Sequence, residues 1–154
     1  MHRPLDDTDR RLIAALTADP RVSHAELARQ VDIARGTVYS RLDRLEREGV
    51  IVGYGPELSP AAAGLEVLAF CTLEIAQGTH DDTVDAIGRI DEVTEIHTIT
   101  GPGDLLVRIV ARSNDHLHEV LQQITKIPTV RRSQSQLALA TDLSRSVAHL
   151  VSGA

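Results

Sequence analysis

Arg35, Arg41, Arg44 and Arg47 lie within one short stretch, RGTVYSRLDRLER, interleaved with Thr37, Tyr39 and Ser40. These side-chain types reach nucleic acid. A guanidinium grips guanine O6 and N7, or a phosphate, with paired hydrogen bonds, and hydroxyls donate to phosphate oxygens. The spacing suits a helix, because Val38, Leu42 and Leu45 recur at intervals of four and three and lay one apolar stripe along one face. A helix of this composition can equally belong to a small bundle that binds protein. Arg44 and Arg47 can also pair with Asp43 or Glu48 on its surface.

Patterns for other chemistry are not found. Of the seven histidines, His116 and His118 stand two apart on an expected helix and point to different faces, and no cysteine pair accompanies them, so no metal site is expected. A phosphate-cradling glycine loop, a nucleophile elbow and paired carboxylates in a recognisable setting are lacking, so neither catalysis nor a cofactor is expected. His97 reads as a satisfied polar group on a sheet, and the single Cys71, inside an apolar run, reads as a small buried hydrophobe.

Two further helices must hold the arginine stretch. Ser23 followed by Glu26 has the form of a capping box, opening a helix whose buried side is Ala25, Leu27, Ala28 and Val31. The arginine helix begins after Asp32-Ile33, and Gly49 can close it in a left-handed conformation. Upstream, Leu5-Asp6-Asp7-Thr8-Asp9 places carboxylates at the start of a first helix, with Leu12, Ile13 and Leu16 on its buried face and Asp19-Pro20 at its end. Three helices, the last two separated by a few residues, predict a helix-turn-helix. Residues 50–54 read as a short strand leaving this head, and residues 56–60, with two prolines, mark a boundary.

Past the boundary the period changes to two. Val67, Ala69, Cys71, Leu73 and Ile75 alternate against Glu66, Leu68, Phe70, Thr72 and Glu74, which predicts a strand. Residues 79–90 predict a helix with Thr79, Asp81 and Asp82 at its start and Val84, Ile87 and Ile90 on one side. Residues 93–100 and 105–112 predict an antiparallel hairpin turned by Gly101-Pro102-Gly103-Asp104, whose glycines permit positive φ. Ser113, Asn114 and Asp115 cap a helix striped by Leu117, Val120, Leu121, Ile124 and Ile127 and stopped by Pro128. Residues 129–140 predict a fourth strand.

The chain is therefore expected to be α+β. A helix-turn-helix, winged-helix-like domain over residues 1–54 and a linker over 55–64 precede a ferredoxin-like βαββαβ domain over 65–141, and 142–154 form a tail. The tail spacing of Leu143, Val147 and Leu150 suggests a short helix. Leu68 and Phe70 are apolar as well as Val67 and Ala69, so the open face of the sheet is expected to be covered by a second copy.

The 154 residues, 42% of them hydrophobic, can fill one ordinary core or two small ones. No run approaches the roughly 20 apolar residues that span a bilayer, and the first residues lack the apolar core of a secretory signal, so no membrane partner and a cytoplasmic location are expected. A net charge of −6 would argue against nucleic acid if it were evenly spread. It is not: residues 1–55 hold nine arginines against nine acids, and the remainder carries the whole deficit. Phosphate attraction is a local matter, because screening removes a charge's field beyond a Debye length of about 8 Å at physiological salt.

The chain resembles the leucine-responsive regulator/AsnC (feast/famine) family of bacterial and archaeal transcription factors over nearly its full length. The likeness rests on LDDTDRRLIAAL, on SHAELARQVDIARGTVYSRLDRLEREGVIVGY, on TGPGDLLVRI and on IPTVRRSQSQLAL. It implies a helix-turn-helix joined to an effector-binding domain, homodimers made through that domain, and octamers of four dimers. Arg41 and Arg44 occupy places where such regulators keep basic residues on the recognition helix, while Arg35, Thr37, Tyr39 and Ser40 are added on expected exposure. Asp32 stands where the family often has Gly, and Ala34 where a Ser usually caps the third helix, a loss worth about 1 kcal/mol. The implied effector site takes Thr98, Thr100, Gly101, Gly103 and Asp104 at the hairpin turn, with Gln136 and Leu137 from the last strand. An amino acid suits it, since a carboxylate can accept from an ammonium and unpaired amides at a glycine turn can bind a carboxylate. Pro102, Gly103 and Leu105 replace bulkier, polar or aromatic residues of the family pattern.

The resemblance thus implies a sequence-specific DNA-binding regulator, associated with the nucleoid, whose assembly or DNA affinity is modulated by an amino acid. A ligand-independent architectural DNA-wrapping protein and an amino-acid-sensing module acting through protein contacts are the alternatives. By residues alone, GPGD is simply a turn in which Asp104 satisfies local amides.

Overall fold

A computed structural model describes residues 4–151. They divide into two compact units: one runs to Pro56 and takes in the segment from Leu143 onward, the other is Glu57–Asp142.

The first unit holds three helices, α1 (Asp7–Ala18), α2 (His24–Val31) and α3 (Arg35–Arg47). Leu12, Leu27, Val31, Val38 and Leu42 are buried together as its core. At the start of α1, Asp6 accepts from the Asp9 amide at 2.9 Å and Asp9 accepts from the Asp6 amide at 3.1 Å, a complete capping box built from two aspartates. The box expected at Ser23 is only half made. Ser23 accepts from the Glu26 amide at 3.2 Å, but the Glu26 carboxylate is drawn away by Arg29 at 2.7 Å and Gln30 at 3.1 Å. Ala25, expected inside, is exposed.

The turn into α3 uses Asp32 at φ 56, a left-handed position in which a short polar side chain is tolerated. Ala34 provides no side-chain cap, as its chemistry requires. After α3 the chain reverses at Gly49 (φ 69), and the amides of Val50 and Ile51 both donate to the Leu45 carbonyl. The strand expected at residues 50–54 does not form. An extended segment becomes a strand only beside another, and the described residues supply none here. Tyr54 instead donates its hydroxyl to Glu46 at 2.7 Å, and burial, with that carboxylate, pushes its pKa up to about 12. The tail returns to the same unit as a short helix, α6 (Ala148–Val151), where Arg10 donates to the Val151 carbonyl at 3.0 Å.

The second unit is a four-stranded antiparallel sheet of order β2-β3-β1-β4, from β1 (Val67–Ile75), β2 (Val93–Thr98), β3 (Leu105–Ala111) and β4 (Val130–Ala138), with α4 (His80–Ile87) and α5 (Asn114–Thr125). Register pairs Ala69 with Ile109, Cys71 with Val107 and Leu73 with Leu105, so these side chains share one face. That face is buried with Ile87 and Ile90 and with Leu117, Val120 and Ile124 of α5. Cys71 lies inside this layer, and burial pushes its thiol pKa up to about 11. On the other face Leu68, Phe70 and Leu106 are half-buried in the single chain.

Three local expectations are corrected. Thr79 precedes α4, but its hydroxyl donates to the Ala76 carbonyl instead of capping the helix, and α4 stops at Ile87, although Ile90 is still buried. β2 ends at Thr98, because the Ile99 amide turns to the Asp104 carbonyl. Within the linker, the amides of Ala63 and Leu65 bond back to Ser59 and Pro60, forming a compact turn.

Candidate nucleic-acid interface and effector site

α3 buries Val38, Leu42 and Leu45, and its polar side chains divide into two groups. Arg35, Tyr39 and Ser40 are exposed and Thr37 is half-buried near the amino-terminal end of the helix. Arg35 makes no ion pair among the described residues. The Tyr39 ring meets His24 of α2 edge-on at 4.4 Å, which holds an exposed aromatic in one orientation.

Arg41 and Arg44 belong to the second group. Arg41 Nη1 lies 2.7 Å from both carboxylate oxygens of Asp6 and 2.7 Å from Asp9 Oδ1, and Arg44 Nη2 lies 2.6 Å from the same Asp9 oxygen. Asp9 is fully buried, and the two arginine side chains are 25% and 18% exposed. Family resemblance puts both on DNA; the structure ties them to the start of α1. Of the two surface pairs considered for α3, Arg47 does pair with Asp43, at 3.0 Å.

This clamp has a pH signature. The Arg41 guanidinium, followed by the Asp9 amide, holds the Asp6 carboxyl at a pKa of about 2, below its ordinary 3.8. A carboxyl whose folded pKa is depressed adds stability that is complete above its unfolded pKa and lost as pH falls through the folded one. Thermal melts are therefore expected to lose an Asp6-dependent part of their stability between about pH 4 and pH 2, and Asp6→Asn is expected to remove that part. Identical pH profiles for the two proteins would refute the pairing. The side chain is 38% exposed, so the change is small.

At the hairpin, Asp104 fastens the turn to β1 in two ways. Its amide donates to the Leu73 carbonyl at 2.8 Å, and its Oδ2 accepts from the Ile75 amide at 2.8 Å, where the β1–β4 register shifts. Gly101 and Gly103 stand at φ 101 and 96, and a side chain at Gly103 would strike Thr72. Thr100 and Gly101 are exposed in this turn. On one side of the hairpin lies a cleft of about 340 Å³ lined by Gln77, His80, Thr98 and Asp104 among others, in which His80 Nε2 is 2.9 Å from the Thr98 hydroxyl. On the other side a cleft of about 150 Å³ is lined by Thr72, Glu74, Pro102, Gly103, Arg132 and Gln134.

The expected residues are thus only partly gathered. Thr98, Gly101, Gly103 and Asp104 converge on the turn, whereas Gln136 pairs with Phe70 and Leu137 with Ala69, two or more residues farther along β1 and on opposite faces of the sheet. Gln77 and His80, some twenty residues upstream of the turn, had no signal in the sequence. Asp6 and Asp9 did have one, but it reads only as helix capping. Among the described residues no group of three histidine, cysteine or acidic side chains could hold a metal ion. His97 contacts Glu95 at 3.0 Å and lies on β2 as expected.

Residues 5–52 fit the winged helix-turn-helix DNA-binding family, and residues 68–147 fit the Lrp/AsnC ligand binding domain. The regulatory protein AsnC of Escherichia coli is 28% identical over 93% of this chain and 95% of its own length, and its structure superposes with a TM-score of 0.88 over 95% and 99% of the two chains. The leucine response regulatory protein LrpA of Mycobacterium tuberculosis is 33% identical, with a TM-score of 0.81 over 91% of this chain and 96% of that one. A transcriptional regulator of Neisseria meningitidis, solved as its L-Met complex, is 25% identical with a TM-score of 0.82 over 96% and 99%. With a family match over each part of the chain and relatives aligned over nearly its whole length, the chain belongs to the Lrp/AsnC family of DNA-binding transcriptional regulators, which are not enzymes.

Proposed function

We propose that the protein binds double-stranded DNA sequence-specifically through the exposed face of α3, with Arg35, Thr37, Tyr39 and Ser40 reaching base edges and phosphates. In this reading it works as a dimer covered on its open sheet face, so that two heads meet successive major-groove faces about 34–36 Å apart. An amino acid bound at the β2–β3 turn changes that assembly or its DNA affinity. The observation that carries the reading is the division of α3: one group of polar side chains is exposed near its start, while Arg41 and Arg44 face α1. The effector part is supported by Asp104, whose Oδ1 accepts no hydrogen bond among the described residues, by the clefts on either side of the turn, and by the L-Met complex of the Neisseria relative.

Fluorescence anisotropy on a labelled duplex from upstream of the protein's own gene tests both parts. Arg35→Ala is expected to weaken binding by roughly fivefold to a hundredfold, the range of one lost base contact. Each of the twenty amino acids is then added in turn; one or more should shift the wild-type curve, and Asp104→Ala should abolish that shift. Unchanged affinity in Arg35→Ala and Tyr39→Ala would remove the assignment of α3. A wild-type response retained in full by Asp104→Ala would place the effector elsewhere.

A further inference from the structure

We propose that Asp6 and Asp9 act as specificity-determining residues for DNA binding: they hold Arg41 and Arg44 of α3 away from the phosphate backbone and so limit sequence-independent attraction. The inference rests on α3 being the DNA-facing helix.

Three observations carry it. The two arginines and two aspartates make four contacts of 2.6–2.7 Å and carry no net charge as a group, so they contribute little field toward a polyanion. The arrangement withdraws two of the four arginines of α3, and Arg47 is paired with Asp43, which leaves Arg35 as the arginine of α3 without an ion pair among the described residues. Finally, Arg44 Nε is buried without a hydrogen-bond partner among the described residues, so this guanidinium is held by charge at one end while its Nε goes unsatisfied there. A side chain held in that way gains hydrogen bonds if it is released to a phosphate.

The physical consequence runs opposite to that of ordinary damage. Each additional arginine engaged with phosphate releases counterions and steepens the fall of log affinity with log salt by about 0.9. Between 200 and 50 mM salt that is about a 3.5-fold larger gain per arginine. Loosening the head without freeing a cation would lower affinity and leave the slope unchanged or shallower.

The test uses the full-length protein and a fluorescein-labelled 30-base-pair duplex of random sequence, titrated from 50 to 200 mM salt. Asp9→Asn is expected to steepen the slope by up to about 0.9 and to narrow the ratio between affinity for the upstream duplex and for the random one. Asp9→Asn combined with Arg44→Gln should return the slope to the wild-type value. Asp6→Asn, at a less buried site, should steepen the slope in the same direction and serves if Asp9→Asn does not fold. A folded Asp6→Asn or Asp9→Asn protein with a wild-type or shallower slope overturns the proposal. Failure of the wild type to bind either duplex would instead count against the assignment of α3 itself.

Discussion

Asp9→Ala is expected to destabilise the head by about 3–5 kcal/mol, measured by urea denaturation followed by circular dichroism. Asp9 is fully buried and is the shared partner of Arg41 and Arg44, whose side chains are largely covered. Its removal strands part of two positive charges in a site that water reaches poorly, and the Asp6 amide loses its acceptor. Breaking a buried pair from one side costs more than the pair contributes, because the desolvation of the remaining charge is then uncompensated. The contrast is Asp43→Ala, which breaks the Arg47 pair on the same helix. The two side chains of that pair are 70% and 67% exposed, so a change of about 0–1 kcal/mol is expected. If the two variants melt alike, the clamp does not hold α1 to α3. Replacing Asp9, Arg41 and Arg44 together by apolar residues should lose less stability than Asp9→Ala alone, since no charge is then left behind.

Gly103→Ala has the second large effect. Gly103 stands at φ 96, a region costly for any side chain, and a Cβ built there would lie 2.4 Å from Thr72 Cγ2 and 3.3 Å from the Leu73 carbonyl oxygen. The backbone strain and the collision each cost about 1–3 kcal/mol. Gly101 separates them. It stands at φ 101, and a Cβ added there would meet nothing within 4 Å, so Gly101→Ala carries the strain alone. The difference between the two variants in a denaturant melt reads out the contact between the turn and β1. Because Asp104 is held by Leu73 and Ile75 of that strand, Gly103→Ala is also expected to weaken any amino-acid response more than Gly101→Ala does. Equal effects of the two substitutions on both measurements would show that the turn is not seated on β1 as described.

Much of this architecture is legible in the residues. The period-two run from Val67 to Ile75 and the apolar stripe from Leu117 to Ile124 mark elements whose type hydrophobic spacing decides, and both are present. The helices of the head are likewise readable, as is the glycine turn that carries Asp104. Element ends are less so: α4 is shorter than its apolar spacing, because Ile90 reaches the core from outside the helix. The strand expected at residues 50–54 fails because strand propensity without a neighbouring strand leaves backbone groups unpaired.

The arginine stretch shows where the division lies. Its amphipathic spacing and its polar types are properties of neighbouring residues, so the order of residues is enough to make α3 a helix with one buried face and cations on the others. Which of those cations are free is not a local property. It depends on what stands opposite each arginine, and Asp6 and Asp9 lie more than thirty residues away along the chain. The packing of α1 against α3 brings them within 2.7 Å, where a buried charge must be paired, and so turns Arg41 and Arg44 toward α1 while Arg35 stays exposed. Packing in the sheet likewise sets Gln136 and Leu137 apart from the turn, since strand register alone fixes which residues of β4 lie beside Gly103.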